Sequence, residues 1–432
     1  MGGMLETLRN ALKIPDLRKK LIFTIAMLIV YRIGSHIPVP GLDAQKFSEI
    51  LSRTGSLGGF MDIVSGGALK LATIFAMSIT PYINSSIIMQ LLTVAIPKLE
   101  QLQKEGEEGR KIIQQYVRYG AVVLGFIQAL GLYVTMRNSG AITDGGTVWS
   151  FLIITLTFTA GTAFLMWLGE KITEFGVGNG ISMIIFTGIV SRGPQGAMGI
   201  VDNYNAGNFG SGVFGIIAII IMAIGFIAVV AAVIWVQQAE RRIPIQYAKR
   251  VVGRKMYGGQ STHLPIKVNL AGVIPIIFAM SIMMFPSTIV TMFFANSTNP
   301  IVVWFKNPEK SWLYSILYAL LIIAFTFFYS VIQFNPIEIA NNMKKNGGFI
   351  PGLRPGKPTS DYIAKVLNRI TWFGGIFLAL VTILPIAMAN ITGIAGLWFG
   401  GTALLILVGV ALDTVKQIES QMLMRHYKGF LE

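Results

Sequence analysis

The sequence predicts an all-α membrane protein of ten transmembrane helices arranged as two inverted five-helix halves. Three observations carry that prediction. Apolar residues make up 53% of the 432-residue chain and charged residues only 13%, against about 25% charged in soluble domains. The charges are segregated, leaving repeated uncharged runs of the kind a bilayer core demands at roughly 20 residues per helix. Basic residues are concentrated in alternate connecting segments, as expected when cytoplasmic loops retain Lys and Arg.

Spans are expected near residues 19–37, 71–96, 117–136, 148–169, 177–191, 211–237, 270–293, 312–334, 370–390 and 396–412. The first apolar run, 21–37, has no small-residue cleavage site and reads as a retained span rather than a removed signal. The Gly2 start lacks a Ser or Thr at position 6, which is Glu6, so no lipid anchor is expected. The second run, 71–96, contains no charged residue. The run 370–412 is also uncharged but too long for one helix, and Asn390, Gly393 and Gly396 supply the break. Gly176, Gly178 and Gly180 crowd the start of the fifth span.

With the N-terminus inside, 27 of the 35 basic residues fall in cytoplasmic segments. Both termini are therefore expected in the cytoplasm. Arg32, near the outer end of the first span, is expected to snorkel to the interface. The net charge of +15 follows mostly from this asymmetry and from contact with anionic membrane lipids.

Ten spans divide around a connecting loop at 192–211, giving an N-terminal half (1–191) and a C-terminal half (212–432) of opposite direction. The second span of each half carries an interior proline, Pro81 and Pro275, and the last span of each is glycine-rich. Such breaks free backbone carbonyls, which are tolerated only where protein or a water-filled cavity receives them. One external stretch, Ser56 to Ala68, is too short to cross and too apolar for water. It fits a re-entrant segment or an amphipathic helix at the interface.

Enzyme signatures fail. There is no cysteine, and His36, His263 and His426 are isolated, so no thiol centre or metal site is expected. The stretch Gly352 to Lys357 ends in Pro358, where a phosphate loop needs Ser or Thr. No cofactor is implied. Span interiors are nearly free of the ionisable groups that a coupled transporter needs. Isoleucine in place of polar rings suits a seal that excludes ions by dewetting. The long cytoplasmic loops 238–269 and 335–369 carry more basic residues than topology requires: Arg241, Arg242, Lys249, Arg250, Arg254 and Lys255 recur beside Tyr247 and Tyr257. Such a surface suits RNA phosphates or an acidic protein.

Several long motifs in order are similar to the SecY family, the central pore subunit of the bacterial Sec translocon. They include Arg32-Ile33-Gly34-Ser35-His36-Ile37-Pro38, Thr80-Pro81-Tyr82-Ile83-Asn84, Lys104-Glu105-Gly106-Glu107-Glu108-Gly109-Arg110, Gly178-Asn179-Gly180-Ile181-Ser182, and Phe349-Ile350-Pro351-Gly352-Leu353-Arg354-Pro355-Gly356. The resemblance runs from about residue 10 to the last span. It implies a non-enzymatic channel in the bacterial plasma membrane that passes unfolded secretory polypeptides and releases apolar segments into lipid. It implies an hourglass pore ringed by Ile79, Ile83, Ile181, Ile185, Ile277 and Ile406. The pairs 79/83 and 181/185 are four apart and share a helix face.

The same resemblance makes residues 57–69 a plug helix and names Leu57, Gly58, Gly59, Phe60, Met61, Asp62, Ile63 and Val64 as plug residues. It places a lateral gate at Ser86, Gln90, Ser281 and Phe285. It makes Arg354 the contact for the motor ATPase SecA, with Arg242, Lys249, Arg250, Arg254 and Lys255 touching motor or ribosome. The implied partners are SecE, SecG, SecA, the ribosome, signal-bearing polypeptides and membrane lipids.

Overall fold

A computed structural model describes residues 9, 11–53, 62, 65–138, 140–207, 213–247, 250–252, 255–257, 261–293, 299–306, 311–392 and 401–428. A helix lies at each of the ten expected span positions: α1 (Pro15–Gly34), α3 (Thr80–Ala95), α5 (Glu107–Asn138), α6 (Val148–Phe175), α7 (Gly180–Ser191), α9 (Val213–Gln238), α10 (Ile274–Phe293), α12 (Trp312–Gln333), α14 (Lys357–Thr392) and α15 (Gly401–Lys428). Shorter helices are α2 (Ala44–Arg53), α4 (Pro97–Lys104), α8 (Gly193–Asn205), α11 (Pro300–Lys306) and α13 (Pro336–Lys345). Among the described residues, six helical stretches are long and apolar enough to cross a membrane: Glu107–Arg137, Val148–Phe175, Gly215–Gln238, Trp312–Lys345, Lys357–Ala387 and Gly401–Leu423. Their outward apolar side chains, such as Ile220, Ile224 and Ile227 on α9, are left exposed, which a lipid solvent tolerates and water does not.

The chain packs as two compact units. The first draws on Met1–Asn208, Met284–Ser311 and Gly393–Glu432. Within it α3 packs on α5, α5 on α6, α6 on α7 and α1, and α15 on α7. Close approach is built into α7: a side chain at Gly180 would put Cβ 2.0 Å from the Gly169 carbonyl on α6. Asn179 caps α7 by accepting from the Ser182 N–H (3.2 Å), so this span begins three residues later than expected.

The second span differs from its expectation more deeply. Residues 71–79 form a run of turns, and the helix starts only at Thr80. Helical bonding is lost because the backbone is engaged elsewhere. Ile74 N–H donates to the Ile37 carbonyl (3.0 Å), Val39 N–H to the Ala72 carbonyl (3.0 Å), and Thr73 N–H to the Ala68 carbonyl (3.0 Å). Ala72 and Ser78 take positive φ (48° and 52°), a conformation non-glycine residues rarely adopt.

The second unit draws on Phe209–Met283 and Trp312–Thr392. Its loops correct the all-α expectation. Strands β1 (Glu240–Tyr247), β4 (Ser261–Lys267) and β5 (Gly348–Phe349) form an antiparallel sheet in the order β4-β1-β5, and β2 (Arg250–Val252) pairs with β3 (Lys255–Tyr257). Along β1, Ile243 and Ile245 turn inward while Arg242, Pro244 and Gln246 stay exposed, the period-two pattern of a half-covered strand. Pro244 is tolerated because β5 pairs only with Gln246 and Tyr247, leaving β1 a free edge beside the proline. The inward face packs with Ile266, Met343, Ile350, Ile363 and Leu367, so α13 and the start of α14 carry the sheet.

Ile363→Ala removes a fully buried side chain from this cluster and is expected to cost about 2–5 kcal/mol. The measurement is the melting of purified protein in detergent, and a shift no larger than that of an exposed Ile→Ala control contradicts the packing.

Candidate functional site

The apolar cluster at the centre of the first unit gathers three of the six expected ring residues. Ile79 is fully buried, and Ile83 and Ile181 pack against the same group, with Tyr31, Ala68, Phe75, Leu165, Leu168, Ile172 and Ile184. Pro81 starts α3 at its first turn, which turns the chain into helix directly beside Ile79 and Ile83. Ile185, also buried, sits one turn beyond Ile181 on α7. Ile406 is buried on α15, the helix that packs on α7 and reaches it through Thr414 Oγ1 and Met183 Sδ (3.6 Å). Ile277 lies half-buried on α10, in the second unit.

Of the expected plug residues, Leu57, Gly58, Gly59, Phe60, Met61, Ile63 and Val64 lie outside the described residues; Asp62 and residues 65–69 lie within them. The described part is held by polar groups. Tyr31 Oη donates to the Ser65 carbonyl (3.0 Å), and Arg32 Nη1 donates to the Gly66 carbonyl (3.0 Å) and to Ser191 Oγ (3.0 Å). Asp62 forms an ion pair with Arg192, both side chains more than four-fifths buried (11% and 14% exposed). The carboxylate also accepts from the Lys70 N–H (2.8 Å), while the Asp62 carbonyl accepts from the Gly67 N–H (2.8 Å). Gly66 and Gly67 have positive φ (66° and 92°). A Cβ on Gly66 would stand 2.9 Å from Gly188 Cα, so only glycine permits this seating against α7. Ala68, next in line, is fully buried in the cluster that holds Ile79.

Opposite charges hold this seat together. Burial, and the like charge of Arg32 close by, pull the Arg192 guanidinium below its ordinary value. Asp62 supplies the compensating charge. A buried pair adds little net stability when intact, but losing one partner strands the other charge and costs about 3–5 kcal/mol.

Arg32 is therefore not a snorkelling residue: it turns inward onto Gly66 and Ser191. Arg192, Tyr31 and Ser191 were not singled out by sequence reasoning, although an ionisable side chain at a span end is itself a signal. The gate residues divide between the units. Gln90 Nε2 donates to Ser86 Oγ (3.4 Å) on α3, and Ser281 is half-buried on α10; the side chain of Phe285 lies outside the described residues. Among the basic residues, Arg242 is exposed and pairs with Glu240 (2.7 Å). Arg354 projects from a turn anchored by buried Ile350 and by Thr359 Oγ1 donating to its carbonyl (2.9 Å). Lys249 and Arg254 lie outside the described residues, as do the side chains of Arg250 and Lys255.

Comparison with known proteins follows the same lines. The family profile for SecY matches residues 73–415. The protein translocase subunit SecY of Halalkalibacterium halodurans is 48% identical over 99% of this chain and 100% of its own. That of Bacillus subtilis is 47% identical over the same shares. A solved protein conducting channel superposes with a TM-score of 0.61 at 19% identity, covering 94% of this chain and 92% of that one. Sec61 from a canine ribosome-channel complex gives 0.59 at 18%, with the same coverage.

Arg192→Gln is expected to lower stability by about 3–5 kcal/mol, and adding Asp62→Asn should recover more than half of that loss. A cysteine placed at fully buried Ala68 reports the seat directly. Its maleimide labelling should be slow in the parent and at least tenfold faster with Arg192→Gln. Equal labelling rates contradict the ion pair's role.

Proposed function

The chain belongs to the SecY family, and from that membership we propose that it is the pore subunit of a bacterial protein translocase. It passes unfolded secretory polypeptides across the plasma membrane and releases hydrophobic segments sideways into lipid. Ten spans, with both termini cytoplasmic, form two inverted halves, 1–191 and 212–432, around an hourglass pore. The observation that carries this reading is the isoleucine cluster of Ile79, Ile83 and Ile181 with Ala68 seated in it. Aliphatic side chains on helices broken by proline and glycine can part around a chain and close again without ion chemistry. With Ile185, Ile277 and Ile406 they make the ring, and residues 57–69 make the plug.

No catalysis is needed. The seat is held by Arg32, Arg192 and Tyr31, so opening means releasing a contact worth a few kcal/mol. A signal segment that buries ten methylenes in lipid gains roughly 8 kcal/mol, at about 0.8 kcal/mol each. That gain is large enough to move a closed population to an open one. The gate for sideways exit runs along Ser86, Gln90, Ser281 and Phe285. Arg354 and the basic residues of the sheet, Arg242, Lys249, Arg250, Arg254 and Lys255, receive SecA or the ribosome, and SecE and SecG complete the complex.

Because the chain lacks cysteine, single cysteines replacing Ile83 and Ile277 test the pore. Both should crosslink to a stalled, partly exported polypeptide, and failure at both with partners present overturns the reading. Ile83→Asn should wet the constriction and raise ion flux through reconstituted channels about tenfold. Unchanged flux removes Ile83 from the ring.

A further inference from the structure

Helix α7 carries two of the expected ring residues, Ile181 and Ile185, yet it is only 12 residues long, about 16 Å. A helix this short owes its place to tertiary contacts rather than to its own cooperativity. Helix α1 supplies one polar contact at each of its ends. At the start, the Val177 N–H donates to Thr24 Oγ1 (3.0 Å). At the far end, Arg32 Nη1 donates to Ser191 Oγ (3.0 Å). Thr24 and Arg32 stand about 12 Å apart along α1, and between them Tyr31 packs in the same apolar cluster as Ile181 and Ile184.

The threonine contact has a fixed direction. A hydroxyl carries a single proton, and Thr24 gives its own to the Lys20 carbonyl one turn back (2.9 Å). Its oxygen is left to accept from the turn between α6 and α7. That turn closes tightly over it: a Cβ on Gly176 would stand 2.5 Å from Thr24 Oγ1, and Val177 is buried with Ala11, Leu17 and Ile418. Two more threonines approach the same turn after bonding their own helices. Thr173 on α6 donates to the Gly169 carbonyl and accepts from the Gly180 N–H, both at 2.9 Å. Thr414 on α15 donates to the Val410 carbonyl (2.7 Å) and lies 3.2 Å from where a Cβ on Gly178 would stand. Burial ranks the first two. Thr173 is exposed, so water takes over its bond at small cost. Thr24 is 3% exposed, so removing its hydroxyl strands a buried N–H.

We propose that Thr24 is a positioning residue for the constriction. It holds Val177 while Arg32 holds Ser191, so α1 splints α7 and fixes the angle at which Ile181 and Ile185 meet the apolar cluster. The proposal rests on the ring assignment of those two isoleucines. Thr24 acts through α7: without its bond, α7 is tied to α1 by a polar contact at the Ser191 end alone, and Ile181, one turn from Val177, shifts first.

The test uses the full chain in proteoliposomes, where the absence of native cysteine lets Ile181→Cys report the position of α7 by its rate of maleimide labelling. Thr24→Val keeps the shape of the side chain and should speed that labelling roughly tenfold. Thr24→Ser, which restores the hydroxyl, should bring it back to within about twofold of the parent, and Thr173→Val should stay within the same range. A cysteine at Ile154, fully buried in a different cluster of the same unit, reports general loosening and should label no faster in Thr24→Val. An unchanged rate at position 181 overturns the proposal, as does an equal rise at position 154 or a Ser variant that behaves like Val. Ion flux separates this proposal from the ring itself. If Ile83→Asn leaks and Thr24→Val stays tight, the proposal falls and the ring stands. If Ile83→Asn does not leak, the ring assignment falls, and the labelling rates alone decide whether Thr24 positions α7.

Discussion

Buried non-helical backbone has to find its hydrogen-bond partners in protein, and the segment from Ser65 to Ile79 shows how this chain meets that demand. Its polar groups are taken by Tyr31, Arg32, Ile37 and Val39 from α1 and the turn after it, and by its own i+5 contacts. Each unpaired group in hydrocarbon would cost several kcal/mol, so the segment cannot drift by a residue without losing several partners at once. The position of Ile79, and hence the start of α3 and the facing of Ile83, follows from this anchoring.

The same segment joins two kinds of interaction that respond differently to change. The packing around Ile79 and Ala68 is non-directional and tolerates exchange of one aliphatic side chain for another of similar volume. The Asp62–Arg192 pair and the Arg32 contacts are directional, and their low net stabilisation when intact hides a large penalty when one member is lost. A seat built this way is specific without being strongly stabilised.

The second unit separates its tasks by surface. Ile243, Ile245 and Ile266 fasten the sheet to α13 and α14, while the alternate positions of β1 face outward as Arg242, Pro244 and Gln246. Basic side chains on a sheet are held at defined spacing, which a loop of the same composition cannot provide. Arg354 is presented in the same manner, on a turn whose neighbour Ile350 is buried. Where this platform meets α14 the exposed side chains turn from Arg369 to Phe373 and Ile376.

Much of this was legible in the residues. The uncharged runs, the basic connecting segments and the Pro81 and Gly178 breaks put a helix at each expected position, because burial in hydrocarbon leaves a compositional trace. The bounds differ by nine residues at the start of the second span and by more at the third, ninth and tenth. The pairing of Ile79 with Ile83, and of Ile181 with Ile185, is visible as spacing. The strands were not visible, since Arg-Arg-Ile-Pro-Ile-Gln carries its alternation over too few positions to outweigh a charged, proline-bearing composition. The partners of Arg32 and Arg192 were equally hidden, because residues 159 and 130 positions away from them in the chain meet only once the helices pack. Local chemistry therefore determined which segments are apolar enough to cross a membrane and which isoleucines stand four residues apart. Tertiary packing alone decided where the helix of the second span begins, which carboxylate neutralises Arg192, and that the basic loops become a sheet, because each depends on contacts between segments remote in sequence.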